Sequence, residues 1–128
     1  MESASLQGAV MTGTAASDTT QGRKRRFPRH ALDMRVTVQV FRLGNTLSFW
    51  GRTTELGDDG LGATLTGELE PGEVVTLEFL LPSAHAAIRL RAITRYRRGL
   101  SHGFEFLALK GEQRGAILRA CELLAAQE

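Results

Sequence analysis

The chain has 128 residues, 42 % apolar and 23 % charged, which is one globular domain's worth of sequence and excludes a fibrous or wholly disordered polypeptide. The longest apolar run is four residues, Phe106 to Leu109, too short for a membrane-spanning helix, and one cysteine cannot make an internal disulfide or a multi-cysteine metal site. The net charge of +2 is unevenly spread: RKRRFPR at 23–29 carries five bases and no acid, whereas the sequence beyond it sums to −1, so one concentrated cationic arm is set to meet an anion.

Residues 1–22 are rich in Ser, Thr, Ala and Gly and contain no aromatic residue. They cannot bury enough surface to offset the entropy of ordering, and a disordered tail is expected. The same stretch has no Lys or Arg and no apolar core, so a secretory leader is not expected. With the lone cysteine this points to a cytoplasmic protein with no membrane insertion. The basic arm spans 23–31, and Pro28 keeps Phe27 out of helical geometry.

From Leu32 the pattern alternates: Leu32, Met34, Val36, Val38 and Val40 against polar neighbours, the period of two of a half-buried strand. Gly44-Asn45 predicts a turn, Leu47 to Thr54 a second strand, Gly57-Asp58-Asp59-Gly60 a tight reversal, and Leu61 to Thr66 a third strand. Pro71-Gly72 supplies another turn before an apolar strand, Val74 to Leu81, stopped by Pro82. Ile88 to Arg97 alternates again, with Ile88, Leu90, Ala92 and Tyr96 on one face and Arg89, Arg91, Arg95 and Arg97 on the other. Arg98-Gly99 turns into Ser101 to Phe106. The period then changes: Ile117, Leu118, Cys121, Leu124 and Ala125 share one face of an amphipathic helix over about 111–126. Six short strands and a terminal helix predict a mainly β protein, a six-stranded antiparallel barrel of the split-barrel kind with a C-terminal α-helix, preceded by a disordered N-terminal arm.

Nothing in this order of residues is catalytic machinery. His30, His85 and His102 lack metal-ligand spacing, Cys121 falls on the apolar helix face where an inert buried thiol is expected, and Asp58 and Asp59 sit in a turn for conformational reasons. No nucleophile elbow, Walker loop or acid pair is present, so no catalytic residue, metal site or cofactor is expected. Two features remain. Arg25 and Arg29 have RxxxR spacing on an extended arm, and guanidinium groups offer planar paired donors to phosphate and to the edge of guanine. Basic runs are also common as solvated tails. The second feature is Glu55-Leu56-Gly57-Asp58-Asp59-Gly60 at the end of the second strand.

Together these resemble the PilZ family, whose members bind the bacterial second messenger cyclic di-GMP through RxxxR followed by [D/N]xSxxG. The resemblance covers residues 25–126 and includes GRTTELGDDGLGATL, the Pro71-Gly72 turn, TRYRR, HGFEF and the final helix. It implies that Arg25 and Arg29 hold the guanines and phosphates of cyclic di-GMP and that Gly60 is the last glycine of the second motif, turning the backbone beneath the ligand. Glu55 stands at the Asp/Asn position and Gly57 at the Ser position, two departures that weaken the site. Restoring the pattern with Glu55→Asp and Gly57→Ser is expected to tighten binding, provided Gly57 does not need a positive φ.

The implied function is a sensor or adaptor whose arm orders on the ligand and signals to an unidentified effector protein. The alternative is a PilZ-like interaction adaptor that binds no nucleotide because of Glu55 and Gly57. Specific nucleic-acid binding is not expected, since the domain lacks a basic stripe continuous with the arm.

Overall fold

The computed structural model describes residues 27–82 and 84–128. The tail at 1–22 and most of the arm, Arg25 included, lie outside them. Seven strands and one helix follow in order: β1 (Arg29–Ala31), β2 (Arg35–Arg42), β3 (Asn45–Gly57), β4 (Gly60–Leu65), β5 (Val74–Phe79), β6 (Ile88–Arg98), β7 (Ser101–Leu107) and α1 (Gly111–Ala126). Every pairing is antiparallel. The order β3-β2-β5-β6-β7-β4 closes through β3–β4 into the six-stranded barrel that the alternation predicts.

The seventh strand is the end of the basic arm. β1 pairs with the far end of β3, Arg29 opposite Gly57 and Ala31 opposite Glu55, on the same edge of β3 that β2 uses further back. The two are one strand kinked at 32–34, where the register against β3 changes by one residue. Buried Thr53 holds the kink. Its hydroxyl accepts from the Met34 N–H at 2.9 Å and donates to the Leu32 carbonyl. The barrel therefore begins at Arg29, three residues before the alternation starts, because RHA carries no apolar pattern to announce a strand.

The inward row is as expected for most strands. Val36, Val38 and Val40, Leu61, Ala63 and Leu65, Val75, Leu77 and Phe79, and Ile88, Leu90 and Ala92 are all buried, with Phe104 and Phe106 closing the core. Tyr96 departs from this. A register shift between Thr94 and Tyr96 leaves Thr94 as the last inward residue of β6 and turns Tyr96 outward, its ring over Gly103. A bulge adds one residue to one strand and reverses the faces beyond it, which strict alternation cannot foresee.

Helix α1 lies against β1 and β3. Its buried residues are Ile117, Ala120 and Cys121; Leu118 and Ala125, expected inside, face solvent, and Leu124 is half-buried. The helix thus turns its smaller residues Ala120 and Cys121, with Ile117, toward β1 and β3. Gln113 ties its start to the barrel: its side-chain oxygen accepts from the Lys110 N–H and its amide donates to the Arg89 carbonyl at 2.8 Å.

The turns fall within a residue of expectation. Pro71-Gly72 is a turn with Gly72 at φ +95°, closed by the Glu73 N–H on the Glu70 carbonyl at 3.1 Å. The β2–β3 turn is Leu43-Gly44 rather than Gly44-Asn45, since Arg42 pairs with Asn45. The Arg42 guanidinium grips Glu73 with two bonds of 2.8 and 2.7 Å, which holds the Glu73 carboxyl below the usual carboxylate range.

Candidate functional site

The second arginine of RxxxR is placed by backbone pairing. Opposite Gly57 in the β1–β3 ladder, the Arg29 side chain runs across a position with no side chain of its own. A Cβ at Gly57 would sit 2.5 Å from Arg29 Cδ, 2.8 Å from Nε and 3.0 Å from the Pro28 carbonyl. Gly57 has no positive φ, so the backbone would accept serine. The crowding is with the Arg29 side chain, so a serine at Gly57 has to displace Arg29 from this position.

Two carboxylates face the guanidinium. Arg29 Nη1 lies 3.2 Å from Glu55 Oε2 and Nη2 lies 3.5 Å from Asp59 Oδ1. The Arg29 side chain is only 12 % exposed, so these pairs are less screened than surface ones. Among the described residues, however, neither Arg29 Nε nor Asp59 Oδ1, both buried, has a hydrogen-bond partner. Adjacent buried polar atoms left unbonded are costly and rare outside sites that something else completes.

Gly60, read as a turn glycine, has another role. It opens β4 opposite Glu105, and a Cβ there would strike the Phe104 carbonyl of β7. It permits the close approach of two strands, and the Asp58-Asp59 reversal is made without any positive φ. Glu55 lies over Gly62 of β4, its carboxyl on the outer surface beside Arg29. Thus Arg29, Glu55, Gly57 and Gly60 come together at one end of the barrel.

The helix backs this site. The Cys121 thiol is buried beside the Asp58 carboxylate, and burial, followed by the effect of that carboxylate, pushes its pKa up to about 12. The expected inert thiol is therefore buried and protonated at neutral pH. On β1, His30 Nδ1 meets Glu128 Oε2 at 2.9 Å, so the strand carrying Arg29 is pinned between β3 and the helix end. Beside it a groove of about 530 Å³ runs along β1 and β3, lined by Ala31, Asp33, Arg52, Thr54 and Thr64 among others, a volume in the range of small-ligand sites.

Asp59 and the Cys121–Asp58 contact are missed by sequence reasoning. An acid in a turn is explained by the turn alone, and no spacing links it to a cysteine on a distant helix. The basic row on β6 is largely self-paired. Arg89 faces Glu78, Arg95 bonds Glu105 at 2.6 Å, and Arg97 lies 3.6 Å from Glu68 and from Glu70. Of the two adjacent aromatics, Trp50 faces out beneath the Arg35 guanidinium at 4.7 Å, and Phe49 packs on the core. Among the described residues no group of three or more His, Cys, Asp or Glu is placed to hold a metal, and no helix is long and apolar enough to cross a membrane.

A six-stranded barrel of this order with a terminal helix, and with the second arginine of RxxxR and a glycine hairpin at one end, has the architecture of the PilZ class. The PilZ domain profile matches residues 23–123, and the chain belongs to the PilZ domain family, a family of cyclic di-GMP receptors whose members are binding or adaptor domains. No curated protein matches the chain. Solved structures share the fold, among them the following three. The PilZ domain of CeSA from a cellulose-synthesizing bacterium is 16 % identical, with a TM-score of 0.58, over 78 % of this chain and 97 % of that one. The Bacillus subtilis inhibitor of motility MotI/DgrA is 16 % identical, with a TM-score of 0.66, over 83 % of this chain and 53 % of that one. The PilZ domain of YcgR from Escherichia coli, solved with c-di-GMP, is 20 % identical, with a TM-score of 0.60, over 82 % of this chain and 94 % of that one.

Proposed function

We propose that the chain is a non-catalytic, cytoplasmic cyclic di-GMP sensor that passes the level of the messenger to a partner protein. The ligand is held between the arm and the outer end of the barrel. Arg29, with Arg25 four residues before it, donates to phosphate and guanine, and Glu55, Gly57 and Gly60 form the floor. The observation that carries this reading is the placement of Arg29 across Gly57, with its Nε buried and unbonded among the described residues. A phosphate or guanine acceptor would satisfy it, at the strength of a charge-assisted bond. Calorimetric titration with cyclic di-GMP tests the reading. Saturable heat that Arg29→Ala weakens ten- to hundredfold supports it, and no heat at millimolar ligand overturns it.

One observation favours the adaptor that binds no nucleotide. Glu55 and Asp59 already face Arg29, so an anionic ligand must compete with two carboxylates for the same guanidinium. The same titration separates the two. Absence of binding in both the wild type and Glu55→Asp leaves the adaptor.

A further inference from the structure

The end of the barrel remote from Arg29 exposes apolar side chains that the fold does not need. Phe41 is 71 % exposed and Leu43 fully exposed. Leu43 and Gly44 have φ of +51° and +81°, the left-handed pair of a type I′ turn, where asparagine is favoured first and leucine is strained. Strain and exposure together are a cost with no return in folding. Alongside, Phe41 and Val74 flank a cleft of about 260 Å³ on the outer face of β2 and β5, also lined by Val40, Thr46, Thr76 and Arg91.

Arg91 supplies the charge. Arg89 and Arg95, its outward neighbours on β6, face Glu78 and Glu105. The Arg91 side chain has no ion pair or hydrogen bond among the described residues, though it borders the cleft. A cleft edged by the exposed Phe41 and Val74, with Gln39, Thr46 and Thr76 also lining it and one guanidinium unpaired among the described residues, is complementary to an apolar side chain beside a carboxylate.

We propose that this face docks an extended segment of a partner protein, an apolar residue filling the cleft between Phe41 and Val74 while an adjacent Asp or Glu pairs with Arg91. A second copy fits poorly, because a two-fold contact would bring two unpaired Arg91 side chains into one interface. An anionic lipid surface offers no apolar side chain held beside a carboxylate, and it is an outcome of the test. The site lies at the opposite end of β3 from Arg29, so the inference does not rest on nucleotide binding.

The test is selection from a random peptide library displayed on phage against the full chain, followed by fluorescence anisotropy with a synthetic enriched peptide. Enriched sequences should carry an aliphatic or aromatic residue beside Asp or Glu. Phe41→Ser and Arg91→Ala should each weaken the peptide about tenfold, the scale of a lost anchor. Leu43→Asn should also weaken it while melting at or above the wild-type temperature, which separates docking from folding. No enrichment, enriched peptides without an acid, or binding indifferent to Phe41 and Arg91 overturns the proposal. So does a dimer in sedimentation that Leu43→Asn dissolves, which assigns the face to a second copy. Binding to phosphatidylglycerol vesicles that Leu43→Asn abolishes would overturn it in favour of a membrane.

Discussion

Strand β3 has 13 residues, about 40 Å of chain, and its two ends differ in chemistry. Near Gly57, charge is crowded and partly buried: Arg29 faces Glu55 and Asp59, and Asp58 stands beside the buried Cys121. Near Asn45, the Arg42–Glu73 pair is half-buried at the edge and apolar surface stands in water, with Leu43 strained at the tip and Arg91 unpaired among the described residues. One end has settled its charges internally and leaves individual polar atoms unsatisfied. The other has left a surface unsatisfied. The first arrangement suits a small polar ligand that exchanges partners with Arg29, the second a macromolecule that covers area.

The largest effect should come from a change that does not respect the comparison. Leu77, buried in the core beneath both ends, should cost about 2–5 kcal/mol as Leu77→Ala, seen in chemical denaturation, and weaken both ends together. Next, Arg29→Ala should lower cyclic di-GMP affinity ten- to hundredfold, from charge-assisted bonds worth about 1.5–3 kcal/mol, while leaving peptide capture at the Leu43 end unchanged. Calorimetry and anisotropy on one variant read both ends. Loss at both would show that the ends are coupled.

Smaller changes sharpen the site end. Glu55→Asp shortens the acid facing Arg29 and should tighten cyclic di-GMP roughly three- to tenfold, one net hydrogen bond's worth. Gly57→Ser should weaken it, because the new side chain displaces Arg29. Calorimetry on both singles decides this, and tightening by Gly57→Ser would mean that Arg29 has another productive position.

A last prediction concerns pH. Buried His102 accepts from the Leu69 N–H on Nε2 and donates from Nδ1 to the Leu100 carbonyl, and burial lowers its pKa. Its unfolded value is the higher one. Its contribution to stability is therefore full above about pH 6.5 and is lost as pH falls below that value toward the folded pKa. Melting temperature should drop over that window, and His102→Gln should flatten the drop.

Much of this was legible without coordinates where a residue's role is set by its neighbours in sequence. Alternation at Val36, Val38 and Val40 fixes a face because side chains in a strand point alternately, and Pro71-Gly72 fixes a turn because its dihedrals are restricted. The four candidate residues within the described chain were named from the resemblance to the family's two motifs. What spacing could not give was their use. Gly60 serves a β4–β7 contact rather than a turn, and Gly57 makes room for Arg29.

The sequence by itself determined the strand and helix types, the closed β class, the family and the candidate residues, because these depend on short-range pattern and on motifs a few residues long. Only the tertiary structure decided that β1 carries Arg29 into the barrel, that the bulge at Thr94 turns Tyr96 out, that α1 buries Ala120 instead of Leu118, and that Asp59 faces Arg29 while Cys121 lies buried beside Asp58. Each depends on which element lies across from which. Cross-strand register and the depth of a packing groove arise from residues far apart in the chain, and no local period encodes them.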